Sequence, residues 1–250
     1  MERKIHIGTS GWHYSYWVGN FYPANMKSKD FTEYYLRFFR TVEINNSFYK
    51  LPSAETFAAW RASVPDNFIF AVKASRFITH MKKLKDPQES IARFFANIKA
   101  LAEKTGPILF QLPPAWHVNT ERLAGLLNAL PTHYRYTIEF RDQTWYTEEI
   151  LELLRRHNVA FCIYELAGHM SPIEVTADFV YIRLHGPTEN KYQGTYSDET
   201  LYYWAERCLK WHAQNLDVYI YFDNDQNGYA GFNAQRLQEI IRQKAPDKLH

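Results

Sequence analysis

Five apolar stretches of this chain, at 41–47, 68–75, 135–141, 179–185 and 218–223, carry polar or ionisable residues at alternating positions toward their C-terminal ends. Side chains alternate faces along a β-strand. One face of these stretches is therefore apolar, with Val42, Ile44, Phe70, Val72, Ile138 and Phe140 among its members. The other face presents Glu43, Asn45, Lys73, Ser75, Glu139, Arg141, Arg183, His185 and Asp223. A parallel strand is usually buried on both faces, and an unpaired buried charge is costly. Charges placed this way need either one another or a ligand.

Further strands are predicted at 5–8, 107–113 and 160–165, which makes eight in all. Most gaps hold a helical pattern with a recognisable start. Ser53, Asn119, Thr147, Ser197 and Asn233 each precede apolar residues at helical spacing, and Pro87 opens another such run. Strand then helix, repeated around the chain, predicts an α/β protein of the parallel (β/α)8 TIM-barrel type. It is irregular between strands six and seven, where 166–178 is short and interrupted by proline. No linker or shift of composition divides the chain, so 1–250 reads as a single barrel domain.

Active sites of this fold lie at the C-terminal ends of the strands. The polar residues named above, with Gln111, would then ring one mouth. Lys73, Arg141 and Arg183 balance Glu43, Glu139 and Asp223, which suits a self-neutralising network as well as a ligand site. The loops after strands seven and eight usually hold phosphate in barrels. Here they are 186–190 and 225–231, where Gly228 and Gly231 would admit an anion to backbone N–H groups and Asn233 would cap the next helix. Arginine adds a bidentate fork for such an anion. A basic stretch at 76–85 contains His80, Lys82, Lys83 and Lys85.

Composition narrows this only in part. With 46% hydrophobic residues the chain can bury a full core, and a net charge of +2 is too mild to argue for nucleic acid from bulk electrostatics. Two cysteines, Cys162 and Cys208, provide neither a disulfide framework nor a zinc pattern. No run reaches the roughly 18 apolar residues of a membrane span, and the N-terminus leads into a strand without an apolar signal region. A cytoplasmic protein without a membrane partner is expected. Aromatic residues reach 17%, many of them between elements, such as Trp12, Trp17, Tyr49, Trp116, Trp145, Tyr192 and Tyr196. They suit stacking on bases or sugars, or packing over the barrel rim.

Other chemistries draw on the same residues. Glu43, Glu139, His185 and Asp223 resemble a carboxylate-rich Mg²⁺ or Mn²⁺ set, but no local metal signature accompanies them. An imidazole bonded to Arg or Glu neighbours is the simpler reading, so no metal ligand is assigned and a divalent cofactor is not favoured. A glycosidase would have to pair Glu43 with Glu139. Ser10 and Ser75 lie near strand ends without a Gly-x-Ser-x-Gly elbow.

Several motifs carry a family resemblance: Gly-Thr-Ser-Gly-Trp at 8–12, Phe-Tyr-Pro at 21–23, and Val-Glu-Ile-Asn-Asn-Ser-Phe-Tyr at 42–49. Thr79 with His80, Phe-Gln-Leu-Pro-Pro at 110–114, and Ile-Glu-Phe-Arg at 138–141 with Trp145 continue the series. Tyr-Ile-Arg-Leu-His-Gly at 181–186 and Tyr-Phe-Asp-Asn at 221–224 complete it. In order and over nearly the whole chain, they resemble the YecE-like family, domain of unknown function 72. The resemblance implies a TIM barrel distantly similar to metal-dependent xylose isomerase-like and endonuclease IV-like enzymes, and supplies no reaction.

The leading expectation is an enzyme acting on a phosphate-bearing ligand: a nucleotide, a sugar phosphate or a nucleic-acid phosphodiester. Lys73, Arg141 and Arg183 would hold the anion, with His80 beside them, and Glu139, His185 and Glu43 would do the acid–base work. Asn45, Gln111 and Asn224 would orient the substrate, and Trp12 and Tyr49 would stack on it. The alternatives are a non-catalytic barrel that binds nucleic acid or a metabolite, and a metal-dependent isomerase or hydrolase.

Overall fold

All eight expected strands form in the computed structural model, which describes residues 4–245. They are β1 (Ile5–Thr9), β2 (Thr41–Ile44), β3 (Ile69–Lys73), β4 (Thr105–Gln111), β5 (Tyr136–Glu139), β6 (Ala160–Leu166), β8 (Phe179–Leu184) and β9 (Asp217–Phe222). Every residue of β1, β2, β5, β8 and β9 is buried, as expected for strands covered on both faces. The order is β1-β9-β8-β6-β5-β4-β3-β2. The ends of that order meet at a parallel bridge between Ser10 and Glu43, where the Gly11 N–H donates to the Glu43 carbonyl at 2.8 Å. This is the α/β fold of a nearly closed barrel of eight parallel strands with helices between them.

The helices are α1 (Phe31–Tyr35), α2 (Asn46–Tyr49), α3 (Ala54–Ala62), α4 (Pro87–Ile98), α5 (Thr120–Ala129), α6 (Glu148–Arg156), α7 (Asp198–Ala213) and α8 (Tyr229–Lys244). Four of the expected caps are made. Ser53, Asn119, Thr147 and Ser197 each accept a hydrogen bond from the backbone N–H three residues on. Proline stands at the start of α4, where its missing N–H costs nothing.

The Asn233 cap is corrected. The helix begins before it, after Gly228 at φ 75°, and Asn233 lies inside α8. Its amide holds a neighbouring loop, accepting from Tyr196 N–H at 3.1 Å and from Asn224 Nδ2 at 2.8 Å. The glycines of this segment also serve packing. A Cβ on Gly231 would lie 2.4 Å from the Phe21 ring, and one on Gly228 would lie 2.7 Å from Phe21 Cβ.

The irregular stretch between β6 and β8 has no helix. Ala167 (φ 51°) and Gly168 (φ 75°) make a two-residue turn into β7 (His169–Met170), which pairs antiparallel with β6. Beyond it, Ser171 Oγ accepts the Tyr164 N–H at 2.9 Å and Thr176 Oγ1 accepts the Phe161 N–H at 2.7 Å.

The chain groups into two compact units. The first takes the described residues up to Glu43, Ile163–Ile173 and those from Asp178 on; Trp17, Tyr22, Tyr35 and Trp204 are fully enclosed in it. The second is Ile44–Cys162 with Glu174–Ala177, and encloses Phe57, Phe68 and Trp145.

Candidate functional site

Polar strand-end residues occur in both units. In the first unit, Arg183 on β8 is 1% exposed and all three of its guanidinium nitrogens are engaged. Nε and Nη2 donate to Glu43, the closest contact being 2.8 Å, and Nη2 also reaches Asp223 Oδ2 at 2.9 Å. Nη1 donates to His185 Nε2 at 2.8 Å. His185 Nδ1 faces the Glu165 carbonyl at 2.9 Å, and its Nε2 also lies 3.4 Å from Asp223 Oδ2. Tyr181 donates to Glu43 Oε2 at 2.6 Å and Ser10 donates to Oε1. Burial, and then the Glu43 charge, push the Tyr181 hydroxyl well above its ordinary range, so it remains a donor.

Arg183 is engaged by two carboxylates, and Glu43 and His185 are fully buried with Arg183, Ser10 and Tyr181 as their hydrogen-bond partners. Among the described residues no group of three or more His, Cys, Asp or Glu could hold a metal ion. Asn224 Nδ2 donates to the Gly194 carbonyl and to Asn233, while its Oδ1 is buried with no hydrogen-bond partner. Trp12 is 7% exposed with Nε1 bonded to Thr32, so it packs and does not offer a stacking face.

The second unit gathers the other cations. Glu139, at the end of β5, is fully buried, paired with Nε of Arg141 and 3.8 Å from the Cys162 thiol. Lys73, the last residue of β3, places Nζ 4.3 Å from the centre of the Phe48 ring. His80 packs edge-on against Phe48, with ring centroids 5.0 Å apart, and bonds Thr79 through Nδ1 at 2.8 Å. Burial first, then the charges of Lys73, Arg76 and Arg141, lower the His80 pKa to about 4, so the ring is neutral near pH 7. Asn45 contributes a buried Oδ1 with no hydrogen-bond partner. Gln111 turns its Nε2 to the Leu112 carbonyl at 2.9 Å. Tyr49, at the end of α2, is 76% exposed and edge-on to Phe48.

Of the expected set, Glu43, Arg183, His185, Asp223 and Asn224 lie in the first unit, and Lys73, His80, Glu139 and Arg141 in the second. Tyr181, Ser10 and Arg76 lie outside the expected set. Strand alternation places Tyr181 on the face of Arg183, so its partnership was readable from the pattern. Arg76 lies just past β3, beyond the strand periodicity, and only the basic run at 76–85 hinted at it.

Comparison with known proteins agrees with this architecture. A crystal structure of a DUF72 family protein from Thermotoga maritima MSB8 matches with a TM-score of 0.87 and 30% identity, over 96% of this chain and 99% of that one. A second, from Enterococcus faecalis V583, shares the fold with a TM-score of 0.81 at 20% identity, over 95% of both chains. UPF0759 protein YunF of Bacillus subtilis (strain 168) is 25% identical over 95% of this chain and 94% of its own length. UPF0759 protein YecE of Escherichia coli (strain K12) is 24% identical over 97% and 94%. The family model for "Protein of unknown function DUF72" matches residues 6–249, and the chain belongs to that family.

Proposed function

We propose that this protein is an enzyme for a phosphate-bearing ligand, a nucleotide, sugar phosphate or phosphodiester, held in the second unit. One observation carries the reading: Lys73, Arg76 and Arg141 all bear on His80, while Glu139 is the carboxylate paired with them. Cations in excess of nearby carboxylates favour an anion, and Arg141 is presented in a fixed orientation by Glu139. The neutral His80 ring and the unpartnered Asn45 Oδ1 add uncharged hydrogen-bonding groups. Glu139 is the acid–base residue of this reading. Its complete burial and its pairing with Arg141 favour the second reading, in which the cluster binds without turnover.

Calorimetric titration with inorganic pyrophosphate at low salt tests the site. Lys73→Ala and Arg141→Ala should each weaken binding by about tenfold or more, as expected for losing a charge-assisted hydrogen bond. Unchanged affinity in both variants would sink the assignment. Once a substrate is found, Glu139→Gln separates the readings: turnover falls with affinity largely kept if Glu139 acts as base.

A further inference from the structure

Beside the phosphate cluster, the second unit carries exposed aromatic and apolar side chains set among cations. Tyr49 is 76% exposed, Met81 67% and Phe77 46%, on a molecule whose other large aromatics mostly pack. Tyr49 is linked to the cluster through Phe48. Tyr49 is edge-on to Phe48, Phe48 to His80, and Lys73 lies over Phe48. Phe77, His80 and Met81 belong to one π-helical turn, Phe77–Met81, closed by the Lys82 N–H to the Phe77 carbonyl at 2.9 Å. Such turns are rare and recur at functional sites. Next to it opens a groove of about 340 Å³ lined by Leu51, Phe77, Lys82 and Arg93, with Glu89 on its wall.

The charge around this patch has one sign for a long stretch. From Lys73 to Lys85 the chain carries Arg76, Lys82 and Lys83 as well, and no carboxylate before Asp86. Lys83 and Leu84 adopt left-handed φ values of 46° and 60°, with Leu84 buried while Lys83 and Lys85 stay exposed. Lys50 follows Tyr49 and is also exposed. Lys82 Nζ lies 5.9 Å from the centre of the Phe77 ring and bonds the Asp86 carbonyl at 3.3 Å, so cation and ring are already side by side on this surface.

We infer that the patch is a docking track for a single-stranded polynucleotide, its phosphates on Arg76, Lys82, Lys83 and Lys85 and its bases on Tyr49 and Phe77. Aromatic faces interleaved with a cationic track are the chemistry that holds single strands with little sequence preference. The inference rests on the phosphate reading above and extends it from one phosphate to a chain of them. A duplex offers phosphates but no free base faces, so it cannot use the rings.

Fluorescence anisotropy with a labelled thymidylate oligonucleotide of about a dozen residues tests it, beside pyrophosphate titration of the same samples. The oligonucleotide should bind at least tenfold more tightly than thymidine monophosphate and than a duplex of equal length. Tyr49→Ala and Phe77→Ala should each weaken it by about tenfold with pyrophosphate affinity kept. Lys82→Ala with Lys83→Ala should flatten its salt dependence by roughly 1.4 units of log–log slope. Tyr202→Ala, an exposed tyrosine of the first unit, should change nothing. If pyrophosphate binds while the oligonucleotide binds no better than the monophosphate, or the duplex binds equally, the track is wrong and the phosphate site stands. Indifference to both ring removals likewise overturns the track. If neither ligand binds, both readings fall.

Discussion

At the scale of single residues, Arg183 shows how a charge placed on a strand can serve structure. Its guanidinium is the cation between Glu43 and Asp223, and both carboxylates are nearly or fully buried. Such a network is weak evidence for net stability, because desolvation offsets much of the attraction. Removing one member is a different matter, since the remaining charges stay buried without compensation. Arg183→Met should destabilise the fold by about 3–5 kcal/mol, read as a lowered urea midpoint. Arg183→Lys keeps the charge but not the fork that joins Glu43, Asp223 and His185, and should fall between. A loss under about 1 kcal/mol for Arg183→Met would mean that the carboxylates are hydrated or protonated instead.

At the scale of elements, the seat of α8 depends on two glycines facing Phe21. The ring of Phe21 approaches Gly231 so closely that an added methyl would lie 2.4 Å from Cδ2 and 2.5 Å from Cε2. Gly231→Ala should therefore cost about 1–3 kcal/mol through overpacking, although alanine is the better helix former. Phe21→Leu alone should also destabilise, by loosening a ring that is 4% exposed. Combined, the two should cost less than their sum, because the smaller side chain makes room for the methyl. Additive unfolding free energies in that cycle would show that the contact is not what excludes a side chain at 231.

At the scale of the whole molecule, stability should depend on pH through groups of opposite sign. His80 is lowered to about 4 by burial and by Lys73, Arg76 and Arg141. Its contribution is fully present above its ordinary pKa of 6.5 and is lost as pH falls toward about 4, because the unfolded chain binds that proton more readily. Glu165 and Asp225 are raised by burial, so their contributions are present at low pH and are lost as pH rises through their folded values. His80→Gln should flatten the fall in urea midpoint between about pH 6.5 and 4, leaving the behaviour above that window unchanged. An acid limb as steep as in the wild type would remove His80 as its source.

The sequence by itself determined the order of the eight strands, the starts of most helices and the face on which the charges lie. These are local properties: alternation of period two, helical spacing and a cap residue are written within a few positions of one another. The β7 hairpin and the start of α8 escaped because each turns on a backbone with positive φ, at Ala167 and Gly168 in one case and Gly228 in the other. Among the nine polar strand-face residues, pairing was not legible at all. Arg183 and Glu43 are 140 positions apart, and nothing local distinguishes a cation that meets a carboxylate from one that awaits an anion. Only the tertiary structure decided that Arg183 and His185 are held by protein partners, while Lys73, Arg76 and Arg141 gather around His80. The physical reason is that hydrogen-bond satisfaction depends on which side chains the fold brings within about 3 Å of one another, and strand periodicity carries no such distance.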